Sequence, residues 1–493
     1  MFFHYFNQLR SSVKSNLENS GISFGEFLLI IFTVLALSFT VRFFRLGVPN
    51  GYYFDEVYHA MTVKLIARND KRAYEYTHGD SIEPKTYVEW LHPPLAKYFQ
   101  ALGVLAFGEN GFGWRFSGAV FGVMTVGMTG LLAWKLFGNV TITLTTLALT
   151  SLETLLIVQS RIAMNDIFLV FFVLLSAFLY LRYRESPSYA RLLWVGFAVG
   201  LTLATKWSGL FIGLWMITAE GITAIIMGIK AYYSSKQKLS LVKVIARDIF
   251  IKLFLLLILP LLLYVASYAQ MFSQGKDFAY FLDLHQQILG YQTGLVATHP
   301  YQSTPIQWFF DSKPVWYYVD YSGGARRDIY AIGNPIIFWL GGLFAILLSV
   351  YLFLPSPRKD RFGASKLHNT SLHLYLEKLP DWSMRHRLLV LISMYWIVWL
   401  PWAFSPRIMF FYHYIPAVPF LCIILAVVLV SLWGSIPHWF AAKDHSSLII
   451  RQVLALAIFS AAAAAFIWIL PNAIALEVPQ WWKNSLSLGG LWK

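Results

Sequence analysis

Residues 27–59 read FLLIIFTVLALSFTVRFFRLGVPNGYYFDEVYH, an apolar run at 27–46 followed within a few residues by the adjacent carboxylates Asp55 and Glu56. A hydrocarbon core of about 30 Å is crossed by roughly 20 helical residues, so this run is long enough to span a membrane and the acids emerge at its surface. Outward from it the pattern recurs, at 114–133, 140–158, 165–181, 191–205, 209–228, 250–269, 334–354, 388–403, 410–432 and 450–470. The expectation is an all-α polytopic membrane protein with about eleven transmembrane helices. Lys206 divides two short runs, and a re-entrant break there is the alternative to two spans. Bulk composition agrees: 57% of residues are apolar, 13% are charged and the mean hydropathy is +0.57, against about 25% charged in soluble chains.

The net charge of +14 has its source in Lys and Arg kept on the cytoplasmic side during insertion, so no nucleic-acid partner is expected. Arg10 and Lys14 precede the first span, Arg182, Arg184 and Arg191 follow the fourth, a cluster from Lys230 to Lys252 follows the sixth and another from Arg358 to Arg387 follows the eighth. All fall on one side, which places the N-terminus in the cytoplasm and the tail with Trp481 and Trp482 outside a plasma membrane. The tripeptides Asn139-Val140-Thr141 and Asn369-Thr370-Ser371 land inside, where no glycan is added. The first span has no A-x-A cleavage site and reads as a retained anchor. Cys422 is the single cysteine and lies in an apolar run, so no internal disulfide forms.

The chain divides into a cytoplasmic segment 1–26, a catalytic transmembrane region 27–269 containing an outer loop at 47–113, a second outer loop at 270–333, a transmembrane region 334–470 and an outer tail 471–493. Both outer loops exceed simple connectors and are rich in Trp, Tyr and His, which suits short interfacial helices with rings at the headgroup level. The stretch 355–387 reads as a polar connector.

Paired carboxylates at a membrane surface suit a base, but acids also suit a helix N-terminus, and alone Asp55-Glu56 divides evenly between the two. In EWLHPPLAKYF at 89–99, Pro93-Pro94 sets a rigid helix start with His92 and Lys97 flanking its first turn, an arrangement able to hold a phosphate. A plain turn with a snorkelling lysine is the commoner account of such a segment. Arg161 with Asp166 in QSRIAMNDIF, Lys206 in ATKWSGL and Arg407 in SPRIMFFYHY stand at outer span ends. Singly each reads as an interfacial anchor; on this topology all emerge on the face that carries Asp55. In the second loop, LHQQILGYQTGLVATHPYQSTPIQWFF at 284–310 contains His285, Tyr291, His299 and Tyr301. Membrane anchoring is the first reading of these four, and acceptor contact by His299 and Tyr301 the second. No HExxH-like or Cys-paired metal spacing occurs. No cofactor is indicated by the residues, and a loosely held Mg²⁺ or Mn²⁺ beside Asp55 is left open.

Six segments, FDEVYH, LHPPLAK, GWRFSGAVFG at 113–122, SRIAMNDIF, TKWSGLF and FFYHYIPAVPF, together resemble the bacterial form of the protein O-mannosyltransferase family, in the family's order, from about residue 40 to residue 430. The resemblance implies a GT-C type glycosyltransferase that takes mannose from polyprenyl-phosphate mannose and places it on Ser or Thr of exported proteins, met at the Sec translocon. The 270–333 loop lacks the inserted β-trefoil of eukaryotic members, which implies a prokaryotic enzyme. A sugar phosphate already has a good leaving group, so one base suffices where a glycosidase needs two carboxylates. Asp55 is the expected base, attack inverts the anomeric carbon, and Glu56 orients the loop or acceptor. Lys97, Arg161, Lys206 and Arg407, in that order, with His92 and Asp166, are the expected surroundings of the lipid phosphate. Two rivals remain. One is a GT-C enzyme with a lipid or cell-wall acceptor, as in the aminoarabinose transferases. The other is a secondary transporter, against which stand the lack of paired half-repeats and of midspan charge.

Overall fold

Why the first span begins where it does is visible in its cap: the Ser23 hydroxyl accepts from the Glu26 amide and the Glu26 carboxylate accepts from the Ser23 amide, closing a capping box at the head of α1 (Phe24–Phe43). This computed structural model describes residues 21–76, 82–234, 238–321, 326–354, 383–434 and 445–486, together with Leu17. Arg10, Lys14, most of the Arg358–Arg387 cluster, the Asn369 tripeptide and the end of the tail lie outside the described residues.

The first outer loop contributes α2 (Glu56–Ala67) and α3 (Leu95–Phe107); α4 (Gly111–Phe137) then starts at Asn110, whose side chain accepts from the Phe112 and Gly113 amides. The run expected at 140–158 is not one straight helix. It forms α5 (Val140–Ser151) and α6 (Thr154–Ser160), bent by 60°. The cause is Glu153, whose carboxylate accepts from the Leu155 and Leu156 amides and so starts a new helix. Next come α7 (Asp166–Glu185), α8 (Tyr189–Thr205) and α9 (Leu210–Ser234), with Lys206 ending α8 and a single 3₁₀ turn leading into α9. α10 (Lys238–Leu253) continues through a π turn into α11 (Leu259–Ala266). α8 packs on this segment at van der Waals contact because Gly196 has no side chain: a Cβ there would lie 1.9 Å from the Leu255 carbonyl oxygen.

The second outer loop holds α12 (Phe278–Gly294) and α13 (Pro305–Phe309), and then a hairpin that the reading of helical loops misses: β1 (Val315–Asp320) pairs antiparallel with β2 (Arg326–Ala331). VWYYVD and RRDIYA are rich in the aromatic and β-branched residues that fit a pleated, half-buried surface. The remaining spans are α14 (Pro335–Phe353), α15 (Met384–Ile397), α16 (Val418–Trp433) and α17 (His445–Ile469), after which β3 (Glu477–Val478) returns to pair with β2. This small sheet is the one addition to the expected helical architecture, which the described residues otherwise follow.

Nine described helices are long and apolar enough to cross a membrane, ten if the bent pair is one span. The eleventh expected run is α8, a helix of 17 residues. Their burial is uneven: 11% of the α1 window is inside the protein, against 94% for Phe411–Trp433. α1 therefore presents its apolar face outward, as a lipid-contacting helix does, while α16 forms the centre around which α5, α14 and α17 pack.

Candidate active site at the head of α2

Asp55 occupies the N-cap of α2, yet its side chain makes no capping hydrogen bond. Capping therefore does not explain this residue. Phe54 precedes it with φ +49°, a left-handed conformation uncommon for a side chain of that size, and its ring stacks on Tyr317 of β1 with centroids 4.0 Å apart. The hairpin thus braces the turn that presents Asp55. The carboxylate accepts from the Tyr412 hydroxyl at 3.4 Å. Burial first, and then the charge of Asp166, push Asp55 up to about 7, with Lys206 and the Tyr412 hydroxyl opposing. Among the described carboxylates of the first outer loop, Asp55 alone has no cation within ion-pair distance.

Glu56 has a different task. It is fully buried and receives a two-pronged pair from Arg115, Nε to Oε1 at 2.7 Å and Nη2 to Oε2 at 2.6 Å. The Ala163 amide donates to Oε1 at 3.0 Å. Arg115 also donates to the carbonyls of Leu46, Pro49 and Gly51, and lies over the Tyr53 ring at 4.7 Å. One ion pair thereby ties the start of α2, the preceding loop, α4 and the segment before α7. Arg115 lies inside the quoted GWRFSGAVFG, but nothing local distinguishes it from an interfacial arginine, because its partner is 59 positions away.

The other candidates sort by partner. Lys206 donates to Asp166 Oδ1 at 2.8 Å, with both side chains buried, and its ammonium lies 5.8 Å from the centroid of Tyr412. This pair borders Asp55 and sets its field. Lys97 is buried, ion-paired with Glu89, and donates to the carbonyls of Glu89 at 2.8 Å and His92 at 3.0 Å. Its hydrogen-bonding capacity is used inside the loop. His92 Nδ1 lies 2.6 Å from Glu89 Oε1. Arg161 donates to the carbonyls of Val41, Arg42, Phe44 and Arg45, closing the C-terminal end of α1. Arg407 donates to Gln292 and to the Ile408 carbonyl, with no carboxylate in ion-pair reach among the described residues.

On the second loop, His299 is exposed, accepts from the Tyr301 amide at 3.1 Å, and meets Phe410 edge-on at 5.2 Å. Phe410 stacks on Tyr412 at 5.7 Å, so this aromatic run leads from His299 toward Asp55. Tyr301 packs against the same core. His285 bonds to Tyr264 and to the Phe281 carbonyl, and Tyr291 packs edge-on against Trp90, so both dock the second loop.

Two family models match the chain: one described as dolichyl-phosphate-mannose-protein mannosyltransferase over residues 31–274, the other as the C-terminal four-membrane-span region of protein O-mannosyltransferase over residues 277–488. A polyprenol-phosphate-mannose–protein mannosyltransferase of Corynebacterium glutamicum is 27% identical over 70% of this chain and 71% of its own length. One from Mycobacterium tuberculosis is 24% identical over 91% of this chain and 88% of its own. In three dimensions the chain is similar to the S. cerevisiae protein O-mannosyltransferase Pmt1–Pmt2 complex bound to the sugar donor, with a TM-score of 0.71, 14% identity, and coverage of 95% and 93% of the two chains.

Proposed function

The chain belongs to the protein O-mannosyltransferase family of membrane glycosyltransferases, and from that premise we propose that it moves mannose from polyprenyl-phosphate mannose to Ser or Thr hydroxyls of exported proteins, with Asp55 as the base. The relatives named for that donor and for protein acceptors support the substrate classes. The observation that supports the base is the setting of Asp55: no cation lies within ion-pair distance of it among the described residues, the Tyr412 hydroxyl donates to it, and burial pushes its pKa up to about 7. A base is most effective when its pKa lies near the working pH.

In the proposed step the acceptor hydroxyl gives its proton to Asp55 as its oxygen bonds to the anomeric carbon. The bond from that carbon to the phosphate oxygen breaks on the opposite face, and the electron pair leaves with the polyprenyl phosphate. One displacement inverts the centre. Arg407, with no carboxylate in ion-pair reach among the described residues, is the cation that would meet the developing phosphate charge; Lys206, paired with Asp166, shapes the field around Asp55, and Lys97 and Arg161, engaged elsewhere, hold the loop and α1. Glu56 orients the head of α2 through Arg115. The expected setting is the outer face of the plasma membrane, N-terminus in the cytoplasm, with acceptors emerging from the Sec translocon and His299 and Tyr301 at their entrance.

The test is transfer of radiolabelled mannose from synthetic polyprenyl-phosphate mannose to a Ser/Thr-rich peptide by the purified protein. Label in the peptide, lost in a folded Asp55→Asn variant, is the expected result. Label confined to lipid would refute the protein acceptor, and unchanged transfer by the variant would refute the base.

A further inference from the structure

His59, Glu89 and His92 come from two separate stretches of the first outer loop, and each offers a donor atom within 4.8 Å of the others'. His59 lies one turn beyond Asp55 on α2, so the cluster adjoins the proposed base. His59 and Glu89 are 5% and 6% exposed. The His59 Nδ1 has no hydrogen-bond partner among the described residues, although a buried polar atom left unsatisfied costs about 1–3 kcal/mol. The two imidazole rings lie 5.9 Å apart, with Glu89 Oε1 against His92 Nδ1. We infer that these three side chains form a binding site for a divalent transition metal of the zinc class, with a fourth position left for water or an oxygen ligand.

The donor set decides the class of metal. Two imidazoles and one carboxylate are the ligands of zinc sites that keep an open position, whereas Mg²⁺ takes oxygen ligands and retains its waters. The cation left open at the sequence level therefore gains a different identity and a different seat.

Glu89 is shared between this cluster and Lys97. Lys97 pairs with the second carboxylate oxygen and binds the backbone carbonyls of both Glu89 and His92. It fixes the turn that carries two of the ligands, the role that outer-shell partners have at metal sites.

The experiment uses full-length protein in detergent, with any affinity tag removed and the protein stripped by a chelator. Zn²⁺ retained after desalting is measured by elemental analysis, and Co²⁺ is added as a spectroscopic probe. One equivalent of Zn²⁺ and an intense tetrahedral Co²⁺ spectrum are expected, with affinity weakened at least about tenfold in His59→Gln and in His92→Gln. Zn²⁺ retention no greater than in these variants, or a Co²⁺ spectrum that survives both, overturns the site. Should either variant fail to fold, wild-type protein decides: a rise in melting temperature with Zn²⁺ but not with Mg²⁺ supports the site, and no Zn²⁺-dependent rise overturns it. Donor and acceptor are absent throughout, so a negative result leaves the mannosyl-transfer reading intact.

Discussion

The two outer loops lie over the same end of the bundle but are held there by different forces. The first is locked by charge taken out of water: Glu56 with Arg115, Lys64 with Glu83 and Lys97 with Glu89, in each of which the cation is nearly inaccessible. The second meets the first mainly through rings and single hydrogen bonds, Tyr291 on Trp90, His285 on Tyr264 and Tyr76 on Asp283, beside one half-buried ion pair, Lys276 with Glu75, and turns Phe278, Leu282 and Leu289 outward. Removing one partner of a buried ion pair strands a charge at a cost of about 3–5 kcal/mol, so the first loop has few alternatives to its observed shape. Side-chain packing with an outward apolar face permits adjustment. On the proposed reading a base must be aimed and a variable polypeptide admitted, and the contrast suits the first loop to the first task and the second loop to the second.

Substitutions at both loops break or sharpen that contrast. Largest is Asp55→Asn, for which mannosyl transfer falls by about 10²- to 10⁴-fold with no fall in melting temperature, read by radiolabel transfer beside thermal unfolding. Next, Arg115→Met loses about 3–5 kcal/mol, seen as loss of the cooperative melt in detergent; Glu56→Gln added to it costs much less than the sum of the two single changes, because they share one interaction. If Arg115→Met melts as wild type does, the first loop is not locked by this pair.

The pH profile follows in size. As the proposed base, Asp55 would work only when ionised, so the rate is expected to climb as pH rises toward about 7 and then level. Asp166→Asn moves that limb to lower pH, since a like charge is removed. The sign for stability is the reverse of that for a salt-bridged acid. The folded-state pKa of Asp55 exceeds the unfolded value of about 3.9, so its protonated form favours the fold and that contribution is lost as pH climbs from about 4 to about 7. Smallest is His299→Ala, which raises KM for the peptide by about threefold, on the order of 0.6 kcal/mol, with kcat unchanged. A drop in kcat as large as that of Asp55→Asn would place His299 in the chemistry and erase the division between loops.

What could be read from the sequence was what depends on neighbours along the chain. Span positions follow from local hydropathy, and every expected run corresponds to a helix or to the bent pair. The bend is not legible from hydropathy, because Glu153 is a single acid within an apolar run, whereas in three dimensions its carboxylate caps a new helix. The position of Asp55 just beyond the first span is legible in the sequence. The duty of Glu56 is not, since it depends on Arg115 and Ala163, each more than fifty positions away. Lys97 misleads in a different way: its partner Glu89 lies inside the same quoted segment, but helix-start reasoning weighs Pro93-Pro94 and passes over an acid eight residues back. Tyr412 and His59 carried no signal of their own, being one aromatic among many and one histidine whose companions are thirty residues further on.

The central helix carries a consequence for how this chain tolerates change. Phe411–Trp433 is 94% inside the protein and α1 only 11%, so the two answer to different neighbours: lipid tails that flow around any shape, and side chains already in place. Exchanging Leu for Ile or Phe in α1 alters little that a fluid bilayer does not absorb. The same exchange at Ile423 or Leu425, which touch no solvent or lipid, asks several other helices to move at once. The segment that looks most interchangeable by hydropathy is therefore the one with the least freedom to vary, and random substitution across the chain will find its silent positions at the rim and its damaging ones at the axis.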